Sequence, residues 1–285
     1  MEVFQIATHW VQQAIDRAKA TASARGEKSL NGYWFVAVTT APRKSCTLLQ
    51  CIKSLRAAGW EPTVFAEPGS TTSDAETIWN ATKLGVWHNW LTSAKYALEK
   101  TDAEVILTVQ DDSRFHPDSR VYTESILWPA ENTGFISLYT PKHYSIEPRN
   151  KTSLRPVGVN RVVTRSLWGA CALVWPRQVL EAVVHSKTAT EWVGVKPRNG
   201  SAAVLQRRRE NPSLIANSDT AIGRIVNRME RSMWFVDPSP VRHIAKHSTI
   251  SHGGNDGRRN CYRCADHAVP LAELAPPPQA FAIKL

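Results

Sequence analysis

Two adjacent aspartates, Asp111 and Asp112, close the apolar run Glu104–Val109 in the segment Val-Gln-Asp-Asp-Ser. Paired carboxylates at the end of a buried strand suit a hard divalent cation. Mg2+ and Mn2+ take oxygen ligands, commonly one or two carboxylates together with substrate phosphates. A polar turn in which Asp112 caps the next segment would leave the same trace, so the pair needs context. A second group of residues is softer. Cys261, Cys264 and His267 form a C-x2-C-x2-H cluster, and His252 or His247 could complete four ligands for a structural Zn2+ ion. Two free surface thiols are the simpler account of the cysteines. A third group is cationic: Arg207, Arg208 and Arg209 in one run, Arg258 and Arg259 in another. Such side chains grip phosphates in bidentate geometry, or simply solvate a loop.

The elements that must hold these residues are legible in the periodicity. Phe4, Ile6, Trp10, Val11 and Ile15 predict an amphipathic helix over Phe4–Ala20, followed by a polar linker. Tyr33–Thr39 reads as a first strand, and the helical pattern that begins at Ser45 (Leu48, Ile52, Leu55) stops at Gly59. Thr63–Ala66 is a second strand. Trp87, Trp90, Leu91, Ala94 and Leu98 then share one helix face. Glu104–Val109 is a buried strand that carries the aspartates at its carboxyl end, where open α/β sheets bind ligands.

Farther on, Gly134–Tyr139 and Ala170–Trp175 read as strands, and Pro176 opens a helix towards His185. Asn217-Ser218 caps a helix through Glu230. The segments 141–165 and 193–212 look like long loops. Alternating strands and helices predict an α/β fold of Rossmann-like type, a mostly parallel central sheet with helices on both faces. The chain divides into an N-terminal helix and linker (1–30), one α/β domain (31–267) and a Pro-rich tail (268–285) expected to be extended along the surface or disordered.

Composition narrows the class. With 42% hydrophobic and 21% charged residues among 285, the chain reads as an ordinary globular protein. The N-terminus shows no basic-then-apolar leader, and no apolar stretch is long enough to span a bilayer, so a cytoplasmic protein is expected. Five cysteines in so long a chain argue against a secreted disulfide framework, and Cys46, Cys51 and Cys171 read as buried thiols. The formal charge is +10, and Lys196–Arg263 holds 13 Lys and Arg against 5 Asp and Glu, a net +8. That asymmetry points to an anionic partner, with solubility as the plainer account.

The order of these segments resembles glycosyltransferases of the GT-A fold, whose acidic DXD-type motif holds a metal-bound nucleoside diphosphate. The resemblance rests on Thr39-Thr40-Ala41-Pro42-Arg43 after the first strand, Asp111-Asp112 after the third, and Trp168-Gly169-Ala170-Cys171 before a later strand. Asn217-Ser218-Asp219-Thr220 and the stretch from Asp237 through His243 to His247 complete it. It covers roughly Tyr33 to Ser251. Gln110 departs from the acidic residue many members carry first in the motif, and the metal-binding carboxylates that follow it are in place.

The resemblance implies a nucleotide diphosphate-sugar donor, a UDP-sugar favoured, with Mn2+ or Mg2+ as cofactor. Thr39, Thr40 and Arg43 would border the nucleotide. Asp111 would face the ribose or the metal, Asp112 would be the main metal ligand, and His243 or His247 would approach the metal or diphosphate. Asp219 would be the general base of an inverting transfer, against its plainer role as a carboxylate favouring a helix N-terminus. Trp168 and Gly169 would lie on the acceptor side, and Arg207, Arg208 and Arg209 would contact an anionic acceptor. The basic third and the cytoplasmic expectation favour hydroxymethylated pyrimidine in DNA as acceptor, as in phage DNA-modifying glycosyltransferases. A glycan or lipid-linked saccharide is the rival. A nucleic-acid-binding protein on an inactive transferase fold is the alternative of another class.

Overall fold

The computed structural model describes residues 34–127, 129–142, 144, 158–162, 167–195, 202–245, 264–266, 269 and 271. The helix expected over Phe4–Ala20 lies outside them. Strand β1 (Trp34–Thr40) forms where the sequence is β-branched and aromatic, and leads into the helix Leu48–Ala57. Leu48, Cys51, Ile52 and Leu55 make the buried face of that helix. It stops where Gly59 takes a φ of 87°, the left-handed conformation that glycine adopts cheaply. Gly59 N–H then donates to Arg56 O at 2.9 Å and Trp60 N–H to Leu55 O at 3.0 Å, so carbonyls of the last turn find partners past the helix end.

The remaining strands are β2 (Pro62–Ala66), β3 (Thr77–Trp79), β4 (Val105–Gln110), β5 (Ser113–Phe115), β6 (Thr133–Ser137), β7 (Gly158–Val162), β8 (Ala172–Pro176), β9 (Ser232–Asp237) and β10 (Val241–His243). Eight of them form one sheet in the order β3-β2-β1-β4-β8-β6-β9-β7, and β5 pairs with β10 in a separate ribbon. Following the pairings across the sheet, β7 and β8 run against the other six. The mostly parallel α/β sheet read from the sequence is therefore present.

Alternation along the strands divides the core into two layers. Val105, Leu107 and Val109 of β4 join the helix Leu48–Ala57 on one face. Ile106 joins the helices Gly85–Lys100, Arg177–Val184 and Ser218–Arg228 on the other. The second layer is aromatic. Trp87 and Trp90 stack with centroids 5.2 Å apart, Trp90 meets Trp175 at 6.1 Å, and Trp175 meets Phe135 at 5.0 Å. Each such side chain, once buried, contributes roughly 1.5–3 kcal/mol or more. Much of the tryptophan content is thus core. Among the described residues, Trp79 and Trp168, each 46% exposed, stand outside it.

The two segments read as loops are not wholly loops. Strand β7 lies within 141–165, because β9 offers it an antiparallel partner that sequence periodicity cannot reveal. The helix Ala202–Glu210 lies within 193–212; it buries no residue, so it leaves no apolar stripe to find. The three-residue strands β3 and β5 are too short to leave a periodic trace. Asn217 precedes the helix Ser218–Arg228 but makes no side-chain capping bond. Leu271, inside the expected surface tail, is fully buried in the first core layer. No helix among the described residues is long and apolar enough to cross a membrane.

Candidate functional site

The carboxyl ends of β1 and β4 lie side by side, Thr39 in register with Gln110. Asp111 and Asp112, the next two residues, are 2% and 5% exposed. Burying two adjacent carboxylates is costly unless they are compensated, and the compensation comes from three directions. Thr40 Oγ1 donates to Asp111 Oδ2 at 2.6 Å, and Arg43 Nε donates to the same oxygen at 3.1 Å. Arg43 Nη2 lies 2.5 Å from Asp111 Oδ1 and 3.0 Å from Asp112 Oδ2, so one guanidinium spans both acids. Its contact with Asp111 Oδ1 is a charge contact without hydrogen-bond alignment. From the far end of the chain, His243 Nε2 sits 3.1 Å from Asp112 Oδ2.

His243 reaches that point because β10 pairs with β5, setting His243 opposite Ser113, while Ile244 N–H donates to Asp112 O at 2.8 Å. Strand β8 supplies the other wall. It runs against β4 with Ala172 beside Val109, so the preceding Trp168–Cys171 segment emerges at the same rim as the aspartates. Gln110 N–H donates to Cys171 O at 2.9 Å and Ser113 Oγ to the same carbonyl at 3.1 Å. Ligand atoms of Asp112, Cys171 and His243 then lie within 4.8 Å of one another. In a tetrahedral shell at about 2.0–2.3 Å, ligand atoms stand roughly 3.3–3.8 Å apart, so the three would draw together by up to about an ångström around a cation. Asp112 Oδ1, moreover, is buried with no hydrogen-bond partner.

The electrostatics differ between the neighbours. Burial, with the Asp112 charge behind it, pushes the Asp111 carboxyl up to about 6 against the pull of Arg43 and Thr40. Burial pushes Asp112 up too, but the hydrogen bond and charge of His243, with Arg43, outweigh it and leave Asp112 below the ordinary range. Arg43 is raised: burial opposes its charge, and the two carboxylates more than restore it. Cys51 lies under the site, its Sγ 4.0 Å from Gln110 O. Burial and the two aspartates raise that thiol well above its usual value, which makes it packing and not a nucleophile.

The other expected residues fall in several places. Thr39, half-buried at the end of β1, donates its hydroxyl to Val109 O at 3.2 Å. Thr40, Arg43 and Asp111 line a shallow, closed-up depression with Ala41, Cys46, Thr47, Leu48 and Thr71. A cleft of about 400 Å3 lies at the opposite end of the sheet, between Trp34, Trp60, Arg56 and Arg120, away from the acids. Trp168 N–H donates to Tyr144 Oη at 3.0 Å. Gly223 packs so closely on Leu167 that a Cβ there would meet the Leu167 backbone nitrogen at 2.5 Å, which seats the helix bearing Asp219 against the Trp168 segment. Tyr144 is raised by burial, and the Asp219 charge adds to the push, so Asp219 faces the same corner.

Asp219 Oδ1 also accepts Thr220 N–H at 2.8 Å. Arg207 and Arg209 are exposed, whereas Arg208 turns inward, its Nη1 donating to Val195 O at 2.8 Å and making a longer bond to Val193 O at 3.4 Å.

Two cysteines differ from expectation. Cys46 is exposed, not buried, while Cys51 and Cys171 are buried thiols. Cys264 is disulfide-bonded, so it is neither a surface thiol nor, in that state, a zinc ligand. His247, His252, Cys261 and His267 lie outside the described residues. Two residues join the site that sequence reasoning does not place there. Cys171 reads as packing in the sequence, and only the antiparallel placement of β8 brings it to Asp112. Asn89, on the apolar Trp helix, is buried and donates through Nδ2 to Phe65 O at 3.1 Å and Thr40 O at 3.3 Å, tying β1 to β2 beneath the site. A lone amide among tryptophans is the signal for it.

No family model and no curated protein sequence matches the chain. Among solved structures, the fold is similar to HddC from Yersinia pseudotuberculosis at 12% identity and a TM-score of 0.33, a match covering 52% of this chain and 79% of that one. So shallow a likeness carries no argument about function.

Proposed function

We propose that the chain transfers a sugar from a nucleotide diphosphate-sugar to an acceptor hydroxyl, with a divalent cation held at Asp112 and His243. The observation that carries this reading is the buried Asp111–Asp112–Arg43–His243 cluster at the carboxyl ends of β1 and β4, with one Asp112 oxygen left unpartnered. The cation would offset charge growing on the diphosphate as the bond to the anomeric carbon breaks. Arg43 is placed to exchange its carboxylate partners for phosphate oxygens, which suit its planar fork. Asp219 is proposed to take the proton of the acceptor hydroxyl while its oxygen attacks the anomeric carbon from the face opposite the leaving group.

For the acceptor we propose hydroxymethylated pyrimidine in DNA, supported by the net +8 stretch and the exposed Arg207 and Arg209. Part of that stretch is engaged internally: Arg208 as described, Arg231 Nη1 on Glu131 O at 3.1 Å and Arg242 Nη2 on Ala265 O at 2.9 Å. A saccharide acceptor is the second reading, favoured by the exposed ring of Trp168 at the acidic rim. The test is transfer of labelled sugar from a panel of sugar nucleotides, with Mn2+ or Mg2+, to hydroxymethylated DNA and to saccharides in parallel. Transfer to either supports the reaction and picks the acceptor. The absence of both transfer and donor hydrolysis under every metal condition would refute it.

A further inference from the structure

The third member of the cluster changes which cation the site should prefer. Mg2+ and Mn2+ are the expectation from carboxylates and phosphates alone, that is, from an all-oxygen shell. Yet the ligand atoms gathered within 4.8 Å are a carboxylate oxygen of Asp112, an imidazole nitrogen of His243 and the Cys171 sulfur. Asp112 and Cys171 are buried, 5% and 3% exposed, and the side chain of His243 is 11% exposed. Sulfur, nitrogen and one oxygen make a borderline-soft donor set. Thiolate and imidazole ligands select Zn2+ and its spectroscopic analogue Co2+, whereas Mg2+ binds poorly without several oxygens.

We infer that Asp112, Cys171 and His243 form a mixed oxygen–sulfur–nitrogen centre that takes a thiophilic divalent cation, Zn2+ or Co2+, in preference to Mg2+. This rests on the reading of Asp112 and His243 as metal ligands, and adds Cys171 to them. Three observations support it independently of any transfer reaction. Each ligand is delivered by a different part of the chain: β4 by its end, β8 by the segment before it, and β10 through its pairing with β5. Backbone bonds fix two of these deliveries, Gln110 N–H on Cys171 O at 2.9 Å and Ile244 N–H on Asp112 O at 2.8 Å. The unpartnered Asp112 Oδ1 supplies a buried acceptor that a cation would satisfy. Three protein ligands would also leave a fourth position open, as zinc sites do when they bind a substrate group.

Binding would convert the Cys171 thiol to thiolate, its proton leaving to solvent as the sulfur–metal bond forms. Nothing is oxidised or reduced. Arg43 and His243 share Asp112 Oδ2 at 3.0 and 3.1 Å, so a cation entering at Oδ1 leaves Arg43 in place while the His243 ring turns its Nε2 from that oxygen to the metal. The bland alternative is that Cys171 is a packed thiol beside an ion-pair network and meets no metal at all.

The experiment is titration of the full chain, stripped of metal, with Co2+, Zn2+ and Mg2+, followed by calorimetry and by the Co2+ absorption spectrum. A thiolate ligand gives a sulfur-to-cobalt charge-transfer band in the near ultraviolet. The wild type should show that band at one equivalent of Co2+, and excess Zn2+ but not Mg2+ should abolish it. Cys171→Ser should lose the band and weaken Zn2+ binding by about ten- to a hundredfold or more, with far-ultraviolet circular dichroism unchanged. Cys171→Ala provides a second variant if the serine hydroxyl disturbs packing. Co2+ binding without the band, or unchanged Zn2+ affinity in both variants, overturns the proposal.

The outcome is separable from the transferase reading. Sugar transfer sustained by Mg2+ with no thiolate band would keep the reaction and discard Cys171. A thiolate band in a protein that transfers no sugar would keep the centre and discard the reaction.

Discussion

The two halves of the eight-stranded sheet are built by different means. In the parallel half, β3-β2-β1-β4, all four strands run the same way, with the helix Leu48–Ala57 leading from β1 to β2 and the helix Gly85–Lys100 from β3 back across to β4. In the mixed half, β8-β6-β9-β7, neighbours in space are far apart in the chain, and two strands run against the rest. The acids stand where the halves meet, at the end of β4 and beside the start of β8. The parallel half contributes Asp111, Asp112, Thr40 and Arg43. The mixed half contributes Cys171 directly, and the ribbon that follows β9 contributes His243. A parallel half can place charges at a rim; it takes the distant half to surround them.

The sharpest way to break this picture is to remove the residue both halves touch. Asp112→Ala should abolish metal binding, and sugar transfer should fall by at least the roughly hundred- to thousandfold that loss of one charge-stabilising group costs. Arg43 keeps Asp111 as a partner, so the fold should survive, as circular dichroism would verify. Retained transfer in the variant, or in protein exhaustively treated with chelator, would mean that the junction of the halves is only a charge lock.

Asp219 probes the mixed half alone. Asp219→Asn should preserve metal and donor binding while turnover falls by about a hundredfold or more. Turnover close to that of the wild type would assign the carboxylate to the start of its helix, where it already accepts Thr220 N–H.

Gly223→Ala sharpens the same division at lower cost. Its Cβ would press on the Leu167 backbone, which cannot retreat as a flexible side-chain tip could. Stability should drop by about 1–3 kcal/mol, as overpacking typically costs. Turnover should fall as Asp219 shifts, while cation affinity at Asp112 stays near wild type. Thermal unfolding and calorimetry on the same sample check both halves of that expectation.

What the sequence discloses follows the same division. The parallel half announces itself through local patterns: a β-branched run at β1, a helix closed by Gly59, a tryptophan face on Gly85–Lys100, and two acids after β4. Each is a short-range signal. Strands β7 and β5 give none, because five- and three-residue segments with Arg, Asn or Ser at internal positions become strands only when a partner is supplied. The partner of β5 is β10, more than a hundred residues on. Cys171 is visible as a residue but not as a neighbour of Asp112, since that proximity depends on β8 running antiparallel. The helix Ala202–Glu210 escapes because its propensity is carried by Ala, Leu, Gln, Arg and Glu with no buried stripe.

That exposed helix is the weakest contrast with the buried rim, and it carries the last prediction. Of its three arginines, Arg208 is held by the carbonyls of Val193 and Val195, so removing it would loosen a loop and confuse the result. Arg207 and Arg209 are exposed and can be replaced together without touching the core. If they meet DNA phosphates, Arg207→Ala with Arg209→Ala should weaken duplex binding across sequences. The slope of log affinity against log salt should flatten by about two, one for each phosphate no longer gripped. Donor and metal binding should not change, because the acidic rim is assembled from other segments. Fluorescence anisotropy on labelled duplex at several salt concentrations reads this directly. An unchanged slope would remove these arginines from the acceptor site. No duplex binding by the wild type even at low salt would leave the net +8 stretch as solvated surface and shift the acceptor to a saccharide stacked on Trp168, for which Trp168→Ala becomes the discriminating variant.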